Sequence, residues 1–198
     1  TRMQVDLVVS PEPALFWDLD GHWAAQPVRQ LAEKGIISGY EDYLFRPENK
    51  ITRAEGAVVM ARALSLPEGN SGVLEGFSDA GSLAEWAAGP VASVVEAGLF
   101  KGYPEEDGKT AFRPDVTVSR VELAAIVSRV LAQKQGVRQP AAVSFSDQGE
   151  VPDWAAAGVA AAVQSGLVKG YPDGTFKPAA EVTRAEAAAV IARLLEQI

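Results

Sequence analysis

The sequence predicts an all-α protein assembled from three helix–loop–helix units, and three observations carry that prediction. One set of landmarks recurs three times in the same order. The second helix of every unit opens on a helix-capping signature, and the first helix of every unit ends on a glycine. Each unit starts with Phe-x-Asp, ending at Asp18, Asp79 and Asp147, and a tryptophan follows: Trp23, Trp86 and Trp154. Next come Gly35, Gly98 and Gly166, then the pairs Gly39-Tyr40, Gly102-Tyr103 and Gly170-Tyr171. An aromatic-basic-proline triplet follows each pair: Phe45-Arg46-Pro47, Phe112-Arg113-Pro114 and Phe176-Lys177-Pro178. The last landmark is a hydroxyl-Arg-x-Glu tetrad at Thr52–Glu55, Ser119–Glu122 and Thr183–Glu186.

Within a unit, the first helix is predicted to begin near the tryptophan, with Trp86, Pro90, Val91, Val94 and Val95 on one face in the second unit. Pro27 and Pro90 are read as lying in the opening turn, where a missing N–H does little harm. The three tryptophans are read as core anchors that begin the apolar stripe, in preference to ligand platforms. Gly35, Gly98 and Gly166 stop the helices in a left-handed conformation. A turn follows. It is Pro172-Asp173-Gly174 in the third unit, a longer acidic loop from Pro104 to Gly108 in the second, and Glu41-Asp42-Tyr43 in the first. The second helix then opens with a capping box, in which Thr52, Ser119 or Thr183 is the N-cap and Glu55, Glu122 or Glu186 reaches back to it. Each such cap is worth about 1 kcal/mol. Units this small cannot bury their apolar stripes alone, so the three are expected to pack together.

The boundaries read as 14–66, 74–134 and 142–198, separated by turn-rich linkers. Residues 1–13 fit no part of the repeat and read as the end of a strand followed by a linker. On this reading the chain is a piece of a larger, processed protein.

Composition narrows the chemistry. There is no cysteine and a single histidine, His22, so thiolate metal sites, thiol nucleophiles and multi-histidine centres are excluded, and neither a metal nor a cofactor is expected. His22 itself reads as an exposed residue near a helix start. Eighteen Lys and Arg stand against 26 Asp and Glu, a net charge of −8. That balance argues against a nucleic-acid surface. No apolar run is long enough to enter and cross a bilayer, so no membrane insertion is expected. The repeated glutamates could suggest a glycosidase pair, but their place in the capping box accounts for them. The Glu105-Glu106-Asp107 loop lacks the alternating ligands of a calcium loop.

The repeated arginines Arg53, Arg120 and Arg184 are the most informative residues. A cation in a helix's first turn opposes the helix dipole, and the N–H groups of that turn favour an anion. Two readings are open. In one, each guanidinium is a fork beside a small anion site, suited to a carboxylate. In the other, each arginine bridges to an acidic neighbour in the next unit. Tyr40, Tyr103 and Tyr171 are placed to lie against a sugar face, and Gly39, Gly102 and Gly170 either admit a ligand to the backbone or punctuate the turn. Asp18, Asp79 and Asp147 are candidates for capping, for pairing with arginine, or for sugar hydroxyls.

The unit Phe-x-Asp…Trp…Gly…Gly-Tyr-Pro-Asp-Gly-Thr-Phe-x-Pro…Thr-Arg-Ala-Glu closely resembles the S-layer homology motif, over residues about 15–198. The resemblance implies a pseudo-threefold assembly with a central three-helix bundle and three prongs. It implies a non-catalytic anchor at the bacterial cell surface, whose inter-repeat grooves bind secondary cell-wall polysaccharide, commonly through a pyruvate ketal on N-acetylmannosamine. Carried over by motif position, Arg53, Arg120 and Arg184 are its carboxylate binders, and Gly39, Gly102 and Gly170 with Asp18, Asp79 and Asp147 its other site residues. The second unit departs with Ser-Arg-Val-Glu and its longer loop, and the first lacks the Asp-Gly turn, so the three grooves are not expected to be equivalent. The isolated fragment is expected to be a monomer, and its parent chain to carry further domains. The alternative is a structural or protein–protein module whose arginines are inter-repeat ion pairs.

Overall fold

The computed structural model describes residues 16–136, 140–141 and 143–198. The strand and linker read over residues 1–13 lie outside them. Among the described residues there are six α-helices: α1 (Ala25–Glu33), α2 (Arg53–Ala63), α3 (Glu85–Glu96), α4 (Arg120–Gln135), α5 (Asp153–Gln164) and α6 (Arg184–Leu195). Short 3-10 turns fill the loops, and the longer loop of the second repeat forms a small antiparallel hairpin of β1 (Tyr103–Pro104) and β2 (Thr110–Ala111).

Local chemistry sets the helix ends. Gly35, Gly98 and Gly166 sit at φ +68°, +70° and +74°. Beyond them, the N–H of Ile36, Leu99 and Val168 turns back to the carbonyl of Leu31, Val94 and Ala162. All three capping boxes form, each with both of its reciprocal bonds. Pro90 lies in the second turn of α3, beyond the opening turn, so α3 forgoes one internal hydrogen bond. The buried stripe of each first helix runs Ala24, Val28, Leu31; Ala87, Val91, Val94; and Ala155, Val159, Ala162. The tryptophans fall one residue before that stripe and are exposed, at 59%, 59% and 61%. The expected core role is therefore overturned by helical phase, because a one-residue offset turns a side chain about 100° away from the buried face.

Threefold closure comes from backbone bonds between repeats. The Ile51 N–H donates to the Val182 carbonyl, Val182 to Val118, and Val118 back to Ile51, at 3.1, 2.8 and 3.0 Å. The second helices α2, α4 and α6 rise from this ring. Each first helix packs on the second helix of the preceding repeat: α3 on α2, α5 on α4, and α1 on α6. Leu19, Leu31, Leu99, Leu167, Leu194 and the three triplet phenylalanines, Phe45, Phe112 and Phe176, are fully buried in one continuous core. The linker between the first two repeats is pinned down too. Gly69 N–H donates to Ser93 Oγ, and a Cβ on Gly69 would stand 2.3 Å from the Ser93 backbone nitrogen.

Candidate functional site: clefts between repeats

Two clefts each draw on three repeats. One is lined by Arg184 of the third repeat, by Tyr40 and Glu55 of the first, and by Trp86 of the second, and encloses about 230 Å³. Its rotated counterpart is lined by Arg53, Tyr103, Glu122 and Trp154, and encloses about 480 Å³. The third set of residues, Arg120, Tyr171 and Glu186, repeats the same arrangement of contacts.

The arginines are built in by the neighbouring repeat. Arg53 Nε donates to the Phe112 carbonyl at 2.8 Å and Nη2 to the Lys101 carbonyl at 2.8 Å. Arg120 makes the matching pair with Phe176 and Lys169, both at 2.9 Å. Arg184 makes it with Phe45 and Ser38, both at 3.0 Å. These loop carbonyls offset the opposing helix dipole that the sequence position alone implies. Nη1 of each arginine then faces the capping-box glutamate of the next repeat, Arg53–Glu122 at 3.3 Å, Arg120–Glu186 at 3.8 Å and Arg184–Glu55 at 3.8 Å. The first spacing is a hydrogen-bonded ion pair, whereas the other two lie beyond hydrogen-bond reach. Arg53 is only 3% exposed.

The helix N-termini are not open anion sites. The N–H of Arg53 donates to Val116 and that of Ala54 to Pro114; Arg120 and Val121 donate to Ala180 and Pro178, and Arg184 and Ala185 to Asn49 and Pro47. The cap side chain takes the third N–H of each helix. The first-turn donors are thus satisfied by neighbouring loops, and the guanidinium side chain is the group left facing the cleft.

Asp18, Asp79 and Asp147 neither cap a helix nor meet an arginine side chain. Asp18 accepts the N–H groups of Phe45 and Arg46 at 2.8 and 2.6 Å. Asp79 does the same for Phe112 and Arg113, and Asp147 for Phe176 and Lys177. The second residue of each pair, Arg46, Arg113 or Lys177, is left-handed at φ +56°, +58° and +55°. Each aspartate thus holds a strained turn in place, and the same turn presents the carbonyl that the cleft arginine grips. For Asp147 the bonds from Phe176 and Lys177 hold the carboxyl below its ordinary value.

The glycines before the tyrosines answer to packing. A Cβ on Gly39 would stand 2.3 Å from the Phe16 ring, one on Gly102 2.6 Å from Phe77, and one on Gly170 2.5 Å from Phe145. The phenylalanine of each Phe-x-Asp therefore occupies the space a side chain would need, and none of the three glycines has a positive φ. Cations gather at each tyrosine. Arg184 and Arg46 lie 5.1 and 4.0 Å from the Tyr40 ring centroid, Arg53 and Arg113 4.5 and 4.7 Å from Tyr103, and Arg120 and Lys177 4.5 and 4.3 Å from Tyr171.

The clefts differ. The Tyr103 hydroxyl donates to the Glu122 carboxylate that also pairs with Arg53, and burial and this bond push Tyr103 up to about 12. A second arginine, Arg62 or Arg129, lines each of the two measured clefts. Burial, and the nearby Arg53, pull Arg129 below its ordinary value. Sequence reasoning missed these residues, although Ala61-Arg62, Ser128-Arg129 and Ala192-Arg193 recur at one offset after the tetrad. His22 is half-buried, accepting from the Ala24 N–H and pairing with Glu48. Among the described residues no cluster of His, Asp or Glu could hold a metal, and no helix is long and apolar enough to cross a membrane.

The chain is similar to several known proteins. It is 38% identical over 181 residues to a cellulosome-anchoring protein of Acetivibrio thermocellus, covering 87% of this chain and 39% of that one. It is 36% identical over 185 residues to an amylopullulanase of Thermoanaerobacterium thermosulfurigenes, covering 92% of this chain and 10% of the relative. It is 31% identical over 201 residues to the S-layer protein sap of Bacillus anthracis, covering 100% of this chain and 24% of that one. The chain thus spans well under half the length of each of these relatives. The family model for the S-layer homology domain matches residues 15–57, 76–124 and 144–188. With three matched segments coinciding with three structural repeats, the chain belongs to the S-layer homology domain family and carries three tandem copies of its motif.

Proposed function

We propose that this chain is a non-catalytic module that holds a larger exported protein at the bacterial cell wall. It does so by binding secondary cell-wall polysaccharide in the clefts between repeats. The observation that carries the proposal is the pairing of a cleft arginine, fixed by two backbone carbonyls, with an exposed tryptophan from another repeat, Arg184 with Trp86. The two carbonyl bonds orient the guanidinium, so its remaining N–H groups are available to a carboxylate at little entropic cost. The tryptophan offers a flat apolar face to a sugar ring. A pyruvate ketal on N-acetylmannosamine carries both features, a carboxylate and a ring, and is the ligand this arrangement suits.

On this reading Arg184 and Arg120 are the principal carboxylate binders, because their glutamates stand 3.8 Å away. Arg53, buried and ion-paired, suits the alternative role of joining repeats. Asp18, Asp79, Asp147 and the glycines Gly39, Gly102 and Gly170 shape the loop that holds each arginine, and Tyr40, Tyr103 and Tyr171 form the floor beside it. The names of the relatives, an anchoring protein and an S-layer protein, accord with an anchor at the cell surface. The test is co-sedimentation with purified wall sacculi before and after mild acid removes the ketals. Loss of binding with the ketals supports the carboxylate mechanism, and binding that survives removes the arginines from recognition.

A further inference from the structure

The loop of the first repeat differs from its two sisters in a way the cleft does not require. Its turn carries the backbone bonds of the third repeat: Tyr43 N–H to the Tyr40 carbonyl and Tyr40 N–H to the Leu44 carbonyl match Gly174 to Tyr171 and Tyr171 to Thr175. Tyr43 therefore stands where Gly174 stands, at φ +61° against +81°. A tyrosine in that left-handed conformation meets a steric penalty that glycine escapes. Trp17 likewise replaces the serine of the sister motifs, Ser78 and Ser146, and its N–H donates to the Tyr43 carbonyl at 3.1 Å, as Ser146 does to Gly174 at 2.9 Å. Two backbone-linked positions that are small in the third repeat are thus large and aromatic in the first. Trp17 is 76% exposed and Tyr43 67%. Neither contributes to the core, and the same loop carries Tyr40 into the Arg184 cleft.

We propose that Trp17 and Tyr43 form a sugar-stacking platform that extends the Arg184 cleft, taking a neutral sugar of the polysaccharide chain next to the acidic residue held in the cleft. The surroundings select this occupant. Asp20 and Glu41 flank the two aromatics and offer acceptors to sugar hydroxyls, while Asp42 is engaged by Arg46 and the Leu44 N–H, and the net acidity of the loop opposes an anionic lipid surface or a charged polymer segment. Aromatic faces suit the C–H face of a sugar ring. Continuity with the cleft through Tyr40 lets one glycan chain meet both sites, adding the second contact at high effective concentration.

This inference rests on the polysaccharide reading above, and the experiment separates the two. The double variant Trp17→Ser with Tyr43→Gly installs the residues of the third repeat, so folding is retained and the thermal midpoint is expected to stay or rise. Binding is measured by calorimetry to two probes, polysaccharide released from sacculi and the single pyruvylated N-acetylmannosamine. The variant is expected to bind the polysaccharide roughly 3- to 10-fold more weakly, the worth of one aromatic contact, and the monosaccharide as the parent does. Unchanged polysaccharide binding overturns the platform. So does a parent dimer that the variant dissolves in sedimentation, which would make the aromatics a self-association surface. If the parent chain binds neither probe, the polysaccharide reading itself fails.

Discussion

Arg184 donates through Nε to the carbonyl of Phe45, 139 residues upstream, at 3.0 Å. The last helix of the chain is thereby fastened to the first loop, and one side chain both closes the fold and lines a cleft.

That double duty makes Arg184→Ala costly twice. The variant leaves the Phe45 and Ser38 carbonyls without their charged donor. It is expected to lose about 1.5–3 kcal/mol of stability in denaturant unfolding, the worth of hydrogen bonds to a charged group. Binding to sacculi should fall as well. Lys at the same position keeps the charge but not the fork, so Arg184→Lys should recover less than half of the lost binding.

Asp147 ties down the turn that carries Phe176 and Lys177, so Asp147→Ala should lower the thermal midpoint by leaving two N–H groups without acceptors. The carboxyl is held below its ordinary value when folded, so its contribution is present above the unfolded value of 3.8 and fades as pH falls through the lowered folded one. Melting curves of the parent and of Asp147→Asn should therefore converge as pH drops below about 4.

Tyr103 sets an alkaline limit. Its hydroxyl is pushed up from 10 to about 12 by burial and by its bond to Glu122. The protonated form is the one favoured in the fold, so the stability it adds is whole below pH 10 and is lost as pH rises toward 12. A spectrophotometric titration of the folded protein should show one tyrosine ionising late. In Tyr103→Phe that late step should disappear.

Glycines packed under rings should not accept a methyl group. Gly102→Ala brings Cβ within 2.1 Å of Thr110 Cγ2 and 2.9 Å of the Ala111 carbonyl oxygen. A loss of about 1–3 kcal/mol is expected from thermal unfolding, the range for overpacking a filled site.

Charge gives a final prediction. With a net charge of −8, long-range attraction to an acidic polymer is absent, so on the proposed reading recognition falls to the cations inside the clefts. Polysaccharide binding should change less than about tenfold between 50 and 200 mM salt, since a counterion-release mechanism would lose far more. A steep slope would remove the short-range mechanism.

Much of the fold was legible because its rules are local. A hydroxyl three residues before a glutamate marks a helix start, and Gly35, Gly98 and Gly166 mark helix ends whatever surrounds them. The tryptophans were misread by one residue of phase: Trp86 begins α3 but Ala87 begins its buried stripe. Burial of Arg53 could not be read from its own segment, because the carbonyls that hold it belong to Lys101 and Phe112 in another repeat. The roles of Asp18, Asp79 and Asp147 were hidden in the same way, since their partners lie a full loop away along the chain. Arg62, Arg129 and Arg193 were visible as a repeated Ala/Ser-Arg pair, but on a helix such a pair is as readily a solvated face.

The three bonds among Ile51, Val118 and Val182 make this a protein that counts. An open stack of repeats tolerates one more or one fewer, but a ring with three positions has no vacancy for a fourth and leaves raw edges with two. Deleting one motif would not shorten the anchor by a third. It would strand a helix without its packing partner and break the closure for the others. Evolution can therefore vary each cleft separately while the number of repeats stays fixed, and a pulling load on the chain meets three repeats that must give way together.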